Sequence, residues 1–302
     1  MNCLKCKLRI EDLSSAHYGF HPACFTECFN APSSAEFISL QRRSSATSEQ
    51  TPNLGPQNTS FFHGKFKKYS ADLNGHSYIL KMRQEEAPEL PEVEYLCNQI
   101  GNALSVPVAE FYYIDFNGDK TFVTKNFINP GTSPTDLQHL YHFRSDDQHS
   151  CKGIIHVITE KTQRPHDVKI FIKTTLFDAL IGNHDRHGRN LAFILTANNS
   201  SLSPIYDNVS YLSLESGSML KADFNPTGKI STSETNEPNM RDYVREFKKL
   251  GYQDDTRNFY QSIKLSHLYQ LVDESFCSEF MKEAIKALIK KRFEELENEL
   301  SN

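Results

Sequence analysis

No apolar run in this 302-residue chain approaches the ~20 residues that a helix needs to cross a bilayer. No membrane-spanning segment is expected. The opening stretch, MNCLKCKLRI, lacks the apolar core of a secretory signal, and a cytoplasmic location follows as the expectation. An excess of positive charge is also missing. The 33 Lys and Arg are outnumbered by 38 Asp and Glu, for a net charge of -5. That balance argues against a broad nucleic-acid surface, and no direct nucleic-acid contact is expected. There is no internal repeat, which excludes a solenoid or propeller. Seven cysteines cannot all pair, and without an export signal a disulfide framework is not expected.

What cysteine there is sits unevenly. Cys3, Cys6, Cys24 and Cys28 crowd the first 28 residues, while Cys97, Cys151 and Cys277 are scattered. Cys3-x2-Cys6 followed by His21-x2-Cys24 is a spacing that can surround one Zn²⁺ tetrahedrally. Cys28 and His17 are alternative ligands, and the competing reading is that Cys24 and Cys28 pack as small apolar groups on a helix. Four protein ligands would leave no open position, so the metal would be structural. Composition then divides the chain: a zinc-binding segment at 1–30, a Ser/Pro-rich linker at 31–59, a β-rich lobe at 60–128 and a helical lobe at 129–302.

In the β-rich part, SFFHGKFKKYSA and GHSYILKM read as strands joined by the turn DLNG, and VAEFYYIDFNGDKTFVTKNF reads as a second hairpin. Between them, Val93, Leu96, Ile100 and Leu104 have helical spacing. Farther on, Val168, Phe171, Ile172, Leu176 and Leu180 mark a helix, and a final helix is expected from about Ser275.

The stretch IGNHDRHGRNLAFIL places a polar island between two apolar runs. Asp185 and Asn190 lie five residues apart, and Asp207 follows in SPIYDNVSYL after the length of a short hairpin. Phosphoryl transfer needs a carboxylate to accept the proton of the attacking hydroxyl, oxygen ligands for Mg²⁺ and a cation for the nucleotide phosphates. Asp185 suits the first role. Asn190 and Asp207 suit the second, because Mg²⁺ takes hard oxygen ligands and keeps several waters. Lys81, at the end of an alternating strand, suits the third. Glu94 is preferred to Glu92 as its carboxylate partner. A capping and turn cluster is the competing reading of Asp185 and Asn190. His184 and His187 are read as hydrogen-bonding supports of the loop.

With those residues in place, GNHDRHGRN…YDNVS and ILKMRQEEAPELPEVEYLCNQIGNALSVPVAEF resemble the HipA-like serine/threonine protein kinases over roughly residues 58 to 300. The resemblance implies a two-lobed, protein-kinase-like α+β fold and ATP with Mg²⁺ as cofactors. It also implies Asp185 as catalytic base, Asn190 and Asp207 as Mg²⁺ ligands and Lys81 as the phosphate ligand. TFVTKNF resembles the strand into the hinge, which puts Lys125, Asn126 and Phe127 near the adenine. The family implies a toxin of a toxin–antitoxin module, with a DNA-binding antitoxin as partner and an aminoacyl-tRNA synthetase as protein substrate. Where longer members carry a β-rich subdomain before the phosphate loop, this sequence shows the cysteine segment and the linker. In that respect the chain is similar to the short HipT branch, where the subdomain is a separate small partner protein. The phosphate loop departs too: Ser60-Phe61-Phe62-His63-Gly64-Lys65 stands where the family has a Ser-Gly-Val-Gln-like core. Ser60 and Gly64 are its expected nucleotide contacts.

In this family a serine of that loop can be phosphorylated by the kinase itself, and Ser60, or else Thr59, is the expected target here. A phosphoserine carries about -1.5 to -2 charges, and Lys81 or Arg186 is expected to receive it. Two other functions stand beside the protein kinase. One is a phosphoinositide-type lipid kinase, whose catalytic loop has a similar form but which should show a basic or amphipathic membrane-facing segment. The other is a nucleotide-binding but inactive module.

Overall fold

The computed structural model describes residues 1–43, 68–128, 136–143, 149–188 and 190–301. They form two compact units, Met1–Tyr95 with Ala109–Asn129 and Leu96–Val108 with Pro130–Asn302.

The first unit is built on a five-stranded antiparallel sheet. Its strands are β1 (Ile38–Arg43), β2 (Lys68–Leu73), β3 (His76–Met82), β4 (Phe111–Phe116) and β5 (Asp119–Lys125), in the order β1-β2-β3-β5-β4. Asn-Gly pairs make both tight turns: Asn74 and Gly75 have φ of 48° and 77°, and Asn117 and Gly118 have φ of 54° and 88°. Two consecutive left-handed residues are what a two-residue hairpin loop requires. Along β3 the side chains alternate between faces. Tyr78 and Leu80 join Leu73, Ile114, Phe116 and Val123 in one buried cluster, while Lys81 lies opposite Phe122 of β5 on the other face.

The cysteine-rich segment covers the first of those faces. Helix α1 (Pro22–Phe29) buries Phe25 and Phe29, and these pack with Phe20, Phe37 and the sheet residues in the same cluster. Phe29 stacks on Tyr112 with ring centroids 4.3 Å apart, and Tyr18 stacks on Phe116 at 5.8 Å. The backbone joins in, because Asp115 N–H donates to the Tyr18 carbonyl at 3.0 Å. Residues 1–30 therefore share the core of the β-rich unit. Ile38–Arg43, within the stretch expected to be linker, is the edge strand β1, paired with β2. The Ser and Pro residues on either side dominate the composition and mask this short strand. Helix α2 (Leu90–Ala103) begins on the other face, where Glu92 and Glu94 project from its first turns.

The second unit carries a three-stranded sheet, β6 (Asp136–His139), β7 (Ala192–Thr196) and β8 (Asn199–Leu202), in that order. Its helices are α3 (Cys151–Thr162), α4 (Pro165–Ile181), α5 (Met240–Lys249), α6 (Gln253–Ser262), α7 (Leu265–Asp273) and α8 (Glu279–Ser301), of which α3 and α4 pack on β8. The last helix starts four residues later than expected. Ser275 closes α7 by donating to the Val272 carbonyl, and Ser278 accepts from Met281 N–H. The serines thus end one helix and begin the next. Helix α4 stops at Gly182 (φ 71°), whose own Cβ, if present, would meet Leu288 Cδ2 of α8 at 2.7 Å. Among the described residues, no helix is long and apolar enough to cross a membrane. The chain thus has the α+β organisation expected, a β-rich unit and a helical unit.

Candidate active site

In the β-rich unit, Lys81 and Glu94 are buried and form an ion pair. Lys81 Nζ also lies 5.6 Å from the centroid of the Phe122 ring. Glu92 is engaged elsewhere: it accepts from Arg83 Nε at 3.0 Å and from Tyr113 Oη at 2.6 Å. A buried charge persists only when paired, so α2 supplies one carboxylate for Lys81 and another for Arg83. Lys125, at the end of β5, pairs with Glu110 at 3.3 Å. Asn126 Oδ1 accepts from Ile128 N–H at 2.9 Å, and Phe127 is half-buried. Ser60 and Gly64 lie outside the described residues, as does Thr59.

In the helical unit the polar island follows α4 directly. Asn183 donates to Asp178 Oδ1 at 2.9 Å, and its own Oδ1 accepts from Asp185 N–H at 3.1 Å. The Asp185 side chain is left half-exposed, with its carboxylate 3.2 Å from Lys229 Nζ and 3.9 Å from His187 Nε2. Asn190 is buried and donates from Nδ2 to the Asp185 carbonyl at 2.9 Å. With the nitrogen so engaged, the amide oxygen is the end suited to a cation. Asp207 adopts φ 55°, a left-handed conformation that is uncommon for a residue with a side chain and is tolerated by Asp.

One residue joins these pieces. Arg186 is buried, and all five of its N–H groups are used. Nε and Nη2 reach Asp178 at 2.8 and 3.0 Å, and Nη2 also reaches Asn208 Oδ1 at 2.5 Å. Nη1 donates to the carbonyls of Tyr206 at 2.7 Å and Asn190 at 3.3 Å. The guanidinium thereby ties the end of α4, the Asp185–Asn190 loop and the Tyr206–Asn208 segment together. Burial works against its charge, but the neighbouring Asp178, with Asp207 adding to it, holds its pKa above the usual arginine range. Asn208 extends the network by donating to Asn98 Oδ1 at 2.9 Å. Arg186 was expected to be able to receive a phosphoserine, and this network corrects that: it is buried, and it has no N–H left to offer. Asp178 was the overlooked clue, a carboxylate set within the apolar run FDALIG.

The N-terminal cluster is a separate site. Cys3, Cys6, His21 and Cys24 bring their ligand atoms within 4.8 Å of one another. His21 Nδ1 faces Cys6 Sγ at 3.4 Å and Cys24 Sγ at 4.0 Å, while its Nε2 is 3.1 Å from the Arg9 carbonyl. That second contact fixes the ring with Nδ1 towards the sulfurs, as second-shell partners of metal-binding histidines do. Burial opposes ionisation of Cys3, but the backbone N–H groups of Cys6, His21 and Lys5 outweigh it and lower its pKa, while burial and the neighbouring sulfurs raise that of Cys24. Hydrogen bonds aimed at a sulfur are the surroundings a thiolate ligand needs. Three sulfurs and one imidazole suit Zn²⁺ better than a hard cation. The oxygen donors of Asn190 and Asp207 suit Mg²⁺.

Comparison with solved structures returned the Helicobacter pylori proinflammatory kinase CtkA at 19% identity and a TM-score of 0.65, covering 78% of this chain and 93% of that one. It also returned HipA of Shewanella oneidensis MR-1, solved with HipB and operator DNA, at 17% identity and a TM-score of 0.54. That match covers 74% of this chain but only 58% of the other. At such identities the likeness is one of fold, and the fold is kinase-like. No curated protein matched the chain. The model of the HipA-like C-terminal domain matches residues 58–291, which contain the Lys81–Glu94 pair and the whole Arg186 network, and the chain therefore belongs to the HipA-like C-terminal domain family.

Proposed function

We propose that the chain is an ATP- and Mg²⁺-dependent serine/threonine protein kinase. The observation that supports this reading is the Arg186 network, which ties the loop carrying Asp185 and Asn190 to the Tyr206–Asn208 segment that carries Asp207. Asp185 would accept the acceptor's proton, Asn190 and Asp207 would hold Mg²⁺, and Lys81, kept in place by Glu94, would meet the nucleotide phosphates. Lys125 and Phe127 would lie near the adenine, with Ser60 and Gly64 over the phosphates. When bound, the metal neutralises charge on the phosphates. The chain's own residues supply the base and the positioning.

The HipA relative was solved with HipB and DNA. By analogy, the partners proposed here are an antitoxin that binds DNA and, as in the HipT branch, a small subdomain-like protein. The proposed acceptor is a translation component such as an aminoacyl-tRNA synthetase. The N-terminal cluster would hold one structural Zn²⁺ through Cys3, Cys6, His21 and Cys24.

The test is phosphate transfer from radiolabelled ATP with Mg²⁺ into a cell extract and into the chain itself. Wild type should label protein, while Asp185→Asn and Asp207→Ala should lose at least about 100-fold, the scale of a general base or metal ligand. Mass spectrometry of wild type beside Asp185→Asn should find phosphate on Ser60 in the active form alone. Equal labelling by wild type and Asp207→Ala would overturn the assignment of the site, and labelling of lipid vesicles in place of protein would favour the lipid kinase.

A further inference from the structure

The segment from Asn225 to Pro238 is tied down along its length. Arg292 Nη2 donates to the Pro226 carbonyl at 2.5 Å, and Gly228 N–H donates to the Pro238 carbonyl at 2.7 Å. Tyr243 Oη donates to the Ile230 carbonyl at 3.0 Å. Ser231 N–H reaches the His149 carbonyl at 2.8 Å, and the Ser231 carbonyl accepts from Cys151 N–H at 2.8 Å. A Cβ on Gly228 would lie 2.0 Å from Tyr243 Oη, so this close approach requires glycine. The backbone on both sides of Lys229 is therefore fixed.

The Lys229 side chain is not buried with it. It is 54% exposed, and its Nζ stands 3.2 Å from Asp185 Oδ1. An ion pair as open as this contributes little to stability and does not account for so many anchors around one lysine. Lys229 also lines a cavity of about 890 Å³ whose walls include His149, His184, His187 and Tyr211. Two of these, His184 and His187, belong to the same loop as Asp185. Gly188 of that loop lies so close to His149 that a Cβ there would fall 2.0 Å from His149 Nε2. The loop and the anchored segment thus both line this cavity, and Lys229 links its wall to the Asp185 carboxylate.

We propose that Lys229 is a positioning residue for phosphoryl transfer, an inference that rests on the kinase reading above. Its ammonium engages Oδ1 of Asp185 and turns Oδ2 to the acceptor hydroxyl, which enters through the cavity beside it. In the step itself the acceptor oxygen forms a bond to the γ-phosphorus, and the bond from that phosphorus to the β–γ bridging oxygen breaks. ADP leaves with the electron pair, and the hydroxyl proton passes to Asp185. Loss of this kind of orientation costs on the order of 10²-fold in rate.

ADP release from Mg²⁺ and ATP, which needs no named acceptor, reads the effect in the full chain. Lys229→Met should lower kcat about 10- to 100-fold, with the binding of a fluorescent ATP analogue and the melting temperature left at wild-type values. Lys229→Arg should recover much of the rate. Because Lys229 acts through Asp185, adding Lys229→Met to Asp185→Asn should cause little further loss. A full rate in Lys229→Met overturns the inference while the kinase reading stands, as does an equal further loss in the double variant. A wild-type chain that neither binds ATP nor releases ADP overturns the kinase reading, and this inference with it.

Discussion

Arg186 and Asp185 are adjacent in sequence and opposite in what a substitution should do. Arg186 is buried, with every N–H engaged, and its removal would leave Asp178 buried without its counterion. Breaking such a pair costs about 3–5 kcal/mol. Arg186→Met should therefore lower the unfolding free energy by about that much in urea titrations. Asp185, half-exposed beside Lys229, should accept Asn with a change within about 0.5 kcal/mol, as surface positions do. If Arg186→Met were as stable as wild type, the network would not be what holds the loop. Asp185, Asn190 and Asp207 could be singled out as candidates in the sequence because their side-chain types at that spacing match what phosphoryl transfer requires. Arg186 and Lys229 were not legible in the same way. The role of Arg186 depends on Asp178, Tyr206 and Asn208, and that of Lys229 on a segment 44 residues from its partner. No local spacing records such contacts.

The elements divide along the same line. Both hairpins, α2, α4 and α8 could be read from Asn-Gly turns and from apolar periodicity, since each pattern is local. Strand β1 could not, because its six residues lie in a Ser- and Pro-rich stretch. Nor could the position of α1, because Phe25 and Phe29 acquire meaning only against Tyr78 and Tyr112 of the sheet. The cysteine cluster sets the entry to α1, with His21 immediately before the helix and Cys24 in its first turn. Purified chain should hold about one zinc, the stoichiometry of a four-ligand site. Cys3→Ser combined with Cys6→Ser should lose it. Chelation should then raise amide hydrogen exchange over residues 1–30, and by the shared core over β2 and β4 as well. An apo chain with unchanged exchange in both places would mean that the metal, if held, does not support the sheet.

For the whole molecule, the boundary drawn by kinship and the boundary drawn by packing do not coincide. The family match begins at residue 58, after α1 and β1, yet the core of the β-rich unit begins with Cys3 and Ile10. A chain cut to residues 58–302 should bind a hydrophobic dye and lose the sharp thermal transition of the full chain. An excised domain with a native-like melt would show that the first 43 residues are dispensable. The reason lies in β3, one strand serving two owners. Lys81 lies on the face where it pairs with Glu94, and Tyr78 and Leu80 point to the face roofed by the cysteine segment. An event at the roof, whether metal loss, oxidation of a thiol or a proteolytic nick, would thus be felt one residue away at the ammonium of Lys81. The segment outside the family match is in this sense a hand on the strand that carries the buried Lys81–Glu94 pair.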